Sequence, residues 1–326
     1  MRIGPSLARI LVVICVGGLA AGVSPALGAF PGENGKIAFA SDRDGGDFDV
    51  WTMNPDGSNL VNLTARSDAD DGPATNWRAD GRKLVFTSDR VTATNPGGDL
   101  EIFVMNANGS NQRQITFNAL DDEYPAWSPD GKIVFARDFN PIRGEADYDI
   151  LTMNGDGTNQ QNLTNTPGID EIEPNWSPTG RSIAFISYRD GDGELYTMRP
   201  NGSGIRQLTF DGLGYEFPDW SPDGRLIAFH SGPVDEFDLY DVYTIRANGG
   251  DQTRLTFGAG FDGFPAWSPN GRRLAFASAR DDNGEIYTMR ADGSRQTNRT
   301  NNAAFDIAPD WQPLQDDDED HDSDHD

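Results

Sequence analysis

Short apolar runs bounded by glycine, proline and asparagine recur along the whole chain, and none carries the sustained 3.6-residue spacing of an amphipathic helix. The clearest are Ile37-Ala38-Phe39-Ala40, Leu84-Val85-Phe86, Ile133-Val134-Phe135-Ala136, Ile183-Ala184-Phe185-Ile186, Ile227-Ala228-Phe229 and Leu274-Ala275-Phe276-Ala277. Large and small apolar residues alternate in them without intervening charge, a pattern that predicts strands covered on both faces. A second set of runs ends in tight turns, as in Thr152-Met153-Asn154-Gly155-Asp156-Gly157 or Thr197-Met198-Arg199-Pro200-Asn201-Gly202. Asp-Gly and Asn-Gly accept positive φ and so predict hairpins into a short following strand. That strand closes on Leu63-Thr64, Ile115-Thr116, Leu163-Thr164, Leu208-Thr209 and Leu255-Thr256. The sixth copy reads Arg299-Thr300, which predicts a looser edge there.

A fourth element leads into a tryptophan and a turn: Trp127-Ser128-Pro129-Asp130-Gly131, with counterparts at Trp77, Trp176, Trp220 and Trp267 and an incomplete copy at Trp311. The tryptophans stand roughly 44 to 50 residues apart, a period that marks repeated supersecondary units. The first unit begins near Gly35 without a tryptophan strand, and the spare one lies at the far end, Asp306 to Trp311. A ring resolves this offset, because the last strand completes the first sheet and removes two open edges. The expected fold is therefore all-β: a six-bladed β-propeller with four-stranded blades over residues 30–314.

Two segments fall outside the repeat. Arg2 and Arg9 flank a short basic region, Ile10 to Val23 is uncharged and apolar, and small residues at Gly28 and Ala29 offer a cleavage site. Residues 1–29 are thus expected to be a secretory signal peptide, which implies export to the periplasm, the cell envelope or the outside. Cys15, the only cysteine, lies within it, so the exported chain needs no disulfide. Residues 315–326 hold eight carboxylates in twelve positions and are expected to be a disordered acidic tail.

The unit Pro-x-Trp-Ser-Pro-Asp-Gly, followed by Ile-Ala-Phe, Tyr-Thr-Met, Asp-Gly and Leu-Thr, resembles the WD40-like PD40 repeat of TolB-type propellers. The resemblance covers residues 30–314 and implies a protein-binding scaffold whose first strands are innermost and open onto a central channel. TolB itself carries an N-terminal α/β domain, whereas here the leader-like segment runs directly into the first blade.

Charge and residue types narrow the chemistry. With 52 acidic and 26 basic residues the formal net charge is −26, which argues against nucleic acid and anionic membranes and leaves cationic partners, metal ions or simple solubility open. Outside the tail the only histidine is His230, on a strand position filled elsewhere by Ala40, Thr87 or Ala136, so it is expected to be a core residue. No Gly-x-Ser-x-Gly elbow is present, and a serine hydrolase is not expected. Tyr196, Tyr243 and Tyr287 hold fixed repeat positions and are expected to be blade packing.

Zinc lacks its ligands, whereas calcium needs only oxygens and stays open as a cofactor. Acidic stretches between the second and third strands, such as Asp42 to Asp49, Asp190 to Glu194 and Asp281 to Glu285, read as turn chemistry. A second set precedes the tryptophans: Asp122 and Glu123, Glu171 and Glu173, Glu216, Asp262 and Asp306. In a propeller these carboxylates are expected to converge on the channel mouth and bind something positive, a protein or peptide partner above all. The expected function is a monomeric, non-enzymatic exported scaffold. The alternative is a calcium-dependent propeller hydrolase or lactonase with one metal in the channel.

Overall fold

The computed structural model describes residues 29–65, 69–140, 146–234, 236–258 and 260–315. Of the expected signal peptide (1–29) and acidic tail (315–326), residues 1–28 and 316–326 lie outside the described residues.

Six antiparallel four-stranded sheets form the molecule. Blade 1 consists of β1 (Glu33–Ser41), β2 (Asp49–Met53) and β3 (Val61–Asn62), with the final strand, β24 (Asp306–Leu314), on the inner side of β1. Blade 2 holds β4 (Asp71–Trp77), β5 (Lys83–Ser88), β6 (Glu101–Asn106) and β7 (Arg113–Gln114); blade 3 holds β8 (Asp122–Trp127), β9 (Lys132–Asp138), β10 (Tyr148–Asn154) and β11 (Gln161–Asn162). Blade 4 follows with β12 (Glu171–Trp176), β13 (Ile183–Ser187), β14 (Glu194–Met198) and β15 (Arg206–Gln207). Blade 5 has β16 (Gly214–Trp220), β17 (Leu226–Gly232), β18 (Asp241–Arg246) and β19 (Thr253–Arg254), and blade 6 has β20 (Asp262–Trp267), β21 (Arg273–Ser278), β22 (Glu285–Arg290) and β23 (Thr297–Asn298). The innermost strands touch in sequence, β24 to β4, β8, β12, β16 and β20, and β20 returns to β24. The ring closes as the repeat offset predicts, with Glu33 opposite Leu314 and Ser41 opposite Asp306.

The core lies between blades. The phenylalanines of the second strands, from Phe39 to Phe276, are fully buried, as are Trp77 and Trp311. Tyr196, Tyr243 and Tyr287 pack on Phe185, Phe229 and Phe276 with ring centroids 5.6–5.9 Å apart, as blade packing.

Neighbouring blades approach so closely that the hairpin glycines have a second reason to be glycine. Gly157 has φ 90°, and a Cβ there would stand 2.1 Å from the carbonyl oxygen of Ile115 in the preceding blade. At the seam, a Cβ on Gly57 would stand 2.3 Å from the carbonyl oxygen of Arg299, so blade 1 seats on blade 6 as blade 3 seats on blade 2. The sixth copy is therefore not looser. Arg299 N donates to Ile286 O at 2.7 Å, and Thr300 Oγ1 accepts from Ile286 N at 3.0 Å, as in the other copies.

That threonine is a repeated clamp. Thr64, Thr164 and Thr256 accept from Val50, Ile150 and Val242 N–H at 2.9–3.0 Å and donate to Asp49, Asp149 and Asp241 at the start of the third strand. Thr209 and Thr300 bond Glu194 and Glu285 in the same way. The last acids of the stretches read as turn chemistry thus fasten the outer strand of their blade, while Asp190 accepts from the Tyr196 hydroxyl at 2.6 Å.

Candidate functional site: the axial channel

Each innermost strand is bulged two to four residues before its tryptophan, as between Glu123 and Ala126 or Glu216 and Asp219. At the bulge Tyr124, Glu173, Phe217, Phe264 and Ala308 all adopt φ of 55–57°, and each precedes a proline. A left-handed side-chain-bearing residue before proline is strained, on the order of 1–3 kcal/mol each, and bulges re-aim side chains. Here they set the lining of the axis.

Three glutamates from consecutive blades meet there. Glu173 accepts from Phe217 N at 2.7 Å, and the charge of Glu216 and, more weakly, of Glu123 reaches it. Glu123 accepts from the Tyr148 hydroxyl at 2.5 Å. Burial above all, and then the charge of Asp121, pushes the Glu123 carboxyl up to about 8. Burial followed by repulsion from Glu216 drives Glu173 well above the ordinary range. Glu216 is the member that reaches solvent, with its side chain 23% exposed.

His230 is buried, as a core strand residue, but it belongs to this cluster. Its Nδ1 accepts from Phe264 N at 3.1 Å, which leaves the ring proton on Nε2, 3.1 Å from Glu216 Oε2. Phe217 and Phe264 flank it, 4.7 Å apart at their centroids.

The other four predicted carboxylates do not join this group as free charges. Asp122, Glu171, Asp262 and Asp306 are fully buried and bonded within their own blades to Arg137, Arg189, Arg280 and Arg43 at 2.6–2.9 Å. Asp71 and Arg90 repeat the pair in blade 2. Each arginine also lies over aromatic rings, Arg43 over Phe39 and Trp51 and Arg280 over Phe276 and Tyr287. Burying a carboxylate requires such a partner, so the repeat carries acid and arginine together. Blade 5 drops both: Tyr215 takes the acid's place and packs against Phe229, the ring centroids 5.2 Å apart and the planes tilted by 44°. Among the described residues no group of three or more His, Cys, Asp or Glu is placed to hold a metal ion.

Three exposed phenylalanines lie on the loops between blades. Phe117, Phe210 and Phe257 follow the clamp threonines of blades 2, 4 and 5, on loops leading to the first residues of the next innermost strands, and are 59%, 74% and 73% exposed.

At the tryptophan end a polar ring that sequence reading missed ties the blades together. The residue before each tryptophan is Asp310, Asn76, Ala126, Asn175, Asp219 or Ala266. Asp310 accepts from Trp77 N at 2.7 Å, Asn76 from Trp127 N at 2.7 Å and Asp219 from Trp267 N at 2.5 Å. Asn175 instead donates to Pro218 O at 2.7 Å. Burial and the charge of Asp219 push the Asp310 carboxyl well above its usual range. The only signal in the sequence is the polar residue beside a buried tryptophan in four of the six copies.

Ala29 and Phe30 are buried, and Ala29 N donates to Trp220 O beside this ring. Ala29 belongs to the apolar cluster that blades 5 and 6 share, with Ala228 and Trp267, while Phe30 belongs to the cluster that blades 2 and 3 share, with Val85 and Trp127. Consecutive Cα atoms are about 3.8 Å apart, and these two interfaces lie on opposite sides of the ring, so the pair straddles the axis.

Residues 125–259 match the family described as the TolB beta propeller domain, PD40. An uncharacterized protein of Agrobacterium fabrum is 32% identical over 147 residues, 43% of this chain and 47% of that protein. A TolB homolog of Chlorobium luteolum is 30% identical over 163 residues, 50% of this chain and 34% of that one. The match thus spans less than half the length of these relatives. The crystal structure of TolB from Acinetobacter baumannii shares the fold with a TM-score of 0.71 at 24% identity, over 87% of this chain and 68% of that chain. Putative TolB from Agrobacterium tumefaciens does so with a TM-score of 0.63 at 20% identity, over 86% and 92%. With the repeats, the ring closure and these matches in place, the chain is a six-bladed β-propeller whose residues 125–259 match the TolB beta propeller family.

Proposed function

We propose that this protein is an exported, monomeric, non-enzymatic scaffold, periplasmic or extracellular, that binds a peptide or protein partner at the leading mouth of its channel. The observation that carries the reading is the convergence of Glu123, Glu173 and Glu216 from three consecutive blades, lined by Phe217 and Phe264. A lysine or arginine side chain entering there meets carboxyl groups and ring faces, and the exposed Phe117, Phe210 and Phe257 offer apolar anchors on the loops between blades. Kinship with TolB proteins supports a partner-binding role. His230 is buried, with its ring nitrogens bonded to Phe264 N and to Glu216, which supports a role in packing. Among the described residues no helix is long and apolar enough to cross a membrane.

The carboxyls that burial keeps protonated must release protons to meet a cation, so binding should strengthen as pH rises toward 8 and beyond. The test is a pull-down from the native exported fraction at pH 6.5 and pH 8.5. The wild type is compared with Glu123→Gln/Glu173→Gln/Glu216→Gln and with Asp56→Asn, an exposed turn carboxylate at the other end of the blades. A prey retained by Asp56→Asn, lost by the triple variant and enriched at the higher pH supports the mouth. An identical prey list for all three proteins sinks it.

A further inference from the structure

Ala29 N lies 3.3 Å from Trp220 O, beside Asp219 in the axial ring, and the next residue, Phe30, reaches the opposite blades. As an internal amide this nitrogen has one hydrogen, and the Trp220 carbonyl takes it. The ring around it is rich in acceptors. Asp219 and Asp310 are buried carboxylates that feel each other's charge. Asn175 Oδ1 is buried without a hydrogen-bond partner, and the amide cannot flip to relieve it, because Nδ2 is held by Pro218 O at 2.7 Å. An orphaned buried oxygen and two carboxylates together call for a cation with several hydrogens.

We propose that this ring is the seat of the chain's own processed N-terminus: removal of the leader after Gly28 gives Ala29 an α-ammonium whose three hydrogens serve Trp220 O, Asn175 Oδ1 and the Asp219–Asp310 carboxylate pair. The inference rests on the export reading and not on the mouth. The peptide bond hydrolysed is Gly28–Ala29, water supplies the hydroxyl to Gly28, and the amine released takes up a proton at neutral pH. Seated on the axis, the ammonium neutralises the ring and Phe30 wedges between blades 2 and 3. The processed chain then closes its own channel at the tryptophan end, and completion of the fold is coupled to export.

The test begins with the intact mass and first residue of the exported protein, expected to be Ala29; any other first residue overturns the proposal. Three forms of the exported chain are then compared by thermal melting: one beginning at Ala29, one acetylated on Ala29, and one beginning at Gly28. The Ala29 form should melt higher than the other two by about 2 °C or more. Asp310→Asn, which keeps an oxygen for Trp77 N–H, should shrink the gap between free and acetylated forms. In the folded Ala29 protein the α-amine should also resist an amine-modifying reagent that labels Lys36, Lys83 and Lys132. Equal melting of all three forms, or an α-amine labelled as fast as the lysines, refutes the seat. Pull-down at the mouth is a separate readout and is unaffected by either outcome.

Discussion

Glu123 shows how a single side chain in this channel departs from what its type suggests. Read as sequence, it is one of seven carboxylates that promise a negative mouth. In the fold its carboxyl is buried against Tyr148 and pushed up to about 8, so at neutral pH it is mostly an acid, not an anion. Its folded pKa lies above the unfolded value of about 4.3, so its stabilising effect is complete below that value and is lost as pH rises through about 8. Glutamine keeps the acceptor for the Tyr148 hydroxyl and does not titrate. Glu123→Gln should therefore match the wild type below pH 5 and become the more stable protein by pH 9, by on the order of a few kcal/mol. Thermal or urea melts across pH 5–9 read the difference directly. A variant that is less stable than the wild type at every pH would show that the glutamate is needed as a charge.

Within one blade, the acid before the proline and the arginine after the second strand behave as a single unit, and here the sequence was only half legible. The acids stand out because they recur before each tryptophan. Their arginines sit 15 to 19 residues away in blades 2, 3, 4 and 6, and across the closure for Asp306 and Arg43. Spacing alone cannot reveal that register brings Asp122 opposite Arg137. The clamp threonine was hidden for the same reason: Leu-Thr reads as a strand end until its partner fourteen residues back is known. Blade 5 supplies a natural experiment, since Tyr215 and the absence of an arginine there leave the sheet intact. Arg137→Met should cost about 3–5 kcal/mol, because Asp122 is left buried without its counter-charge. Arg137→Met/Asp122→Asn should recover most of that loss. Urea denaturation of the two variants and Asp122→Asn closes the cycle, and additive losses would mean that the pair is not coupled.

At the scale of the whole molecule the fold was readable because repetition averages out local ambiguity. One Ile-Ala-Phe run fits a buried helix or a strand, but six of them in register with six hairpin glycines fit only repeated sheets. The axis was not readable, since it exists only once the ring is shut and residues as distant as Asn76 and Asp310 become neighbours. Closure is therefore the property on which both the mouth and the axial ring depend, and it rests on β24. That strand supplies the inner edge of blade 1, packs on β4 and β20, and places Asp310 under Trp77. Without it β1 has an unpaired inner edge, Trp77 N–H loses its acceptor and the seam between blades 6 and 1 loses its inner wall. A chain ending at Phe305 should unfold over a broader urea range with a smaller m-value than the intact protein, and should self-associate through the bared strand. Adding a synthetic peptide covering residues 306–315 should restore a sharp transition, because β24 pairs with β1 by backbone bonds that need no covalent link. An unchanged m-value and monomeric behaviour in the truncated chain would show that five complete blades and an open sixth hold together by stacking alone.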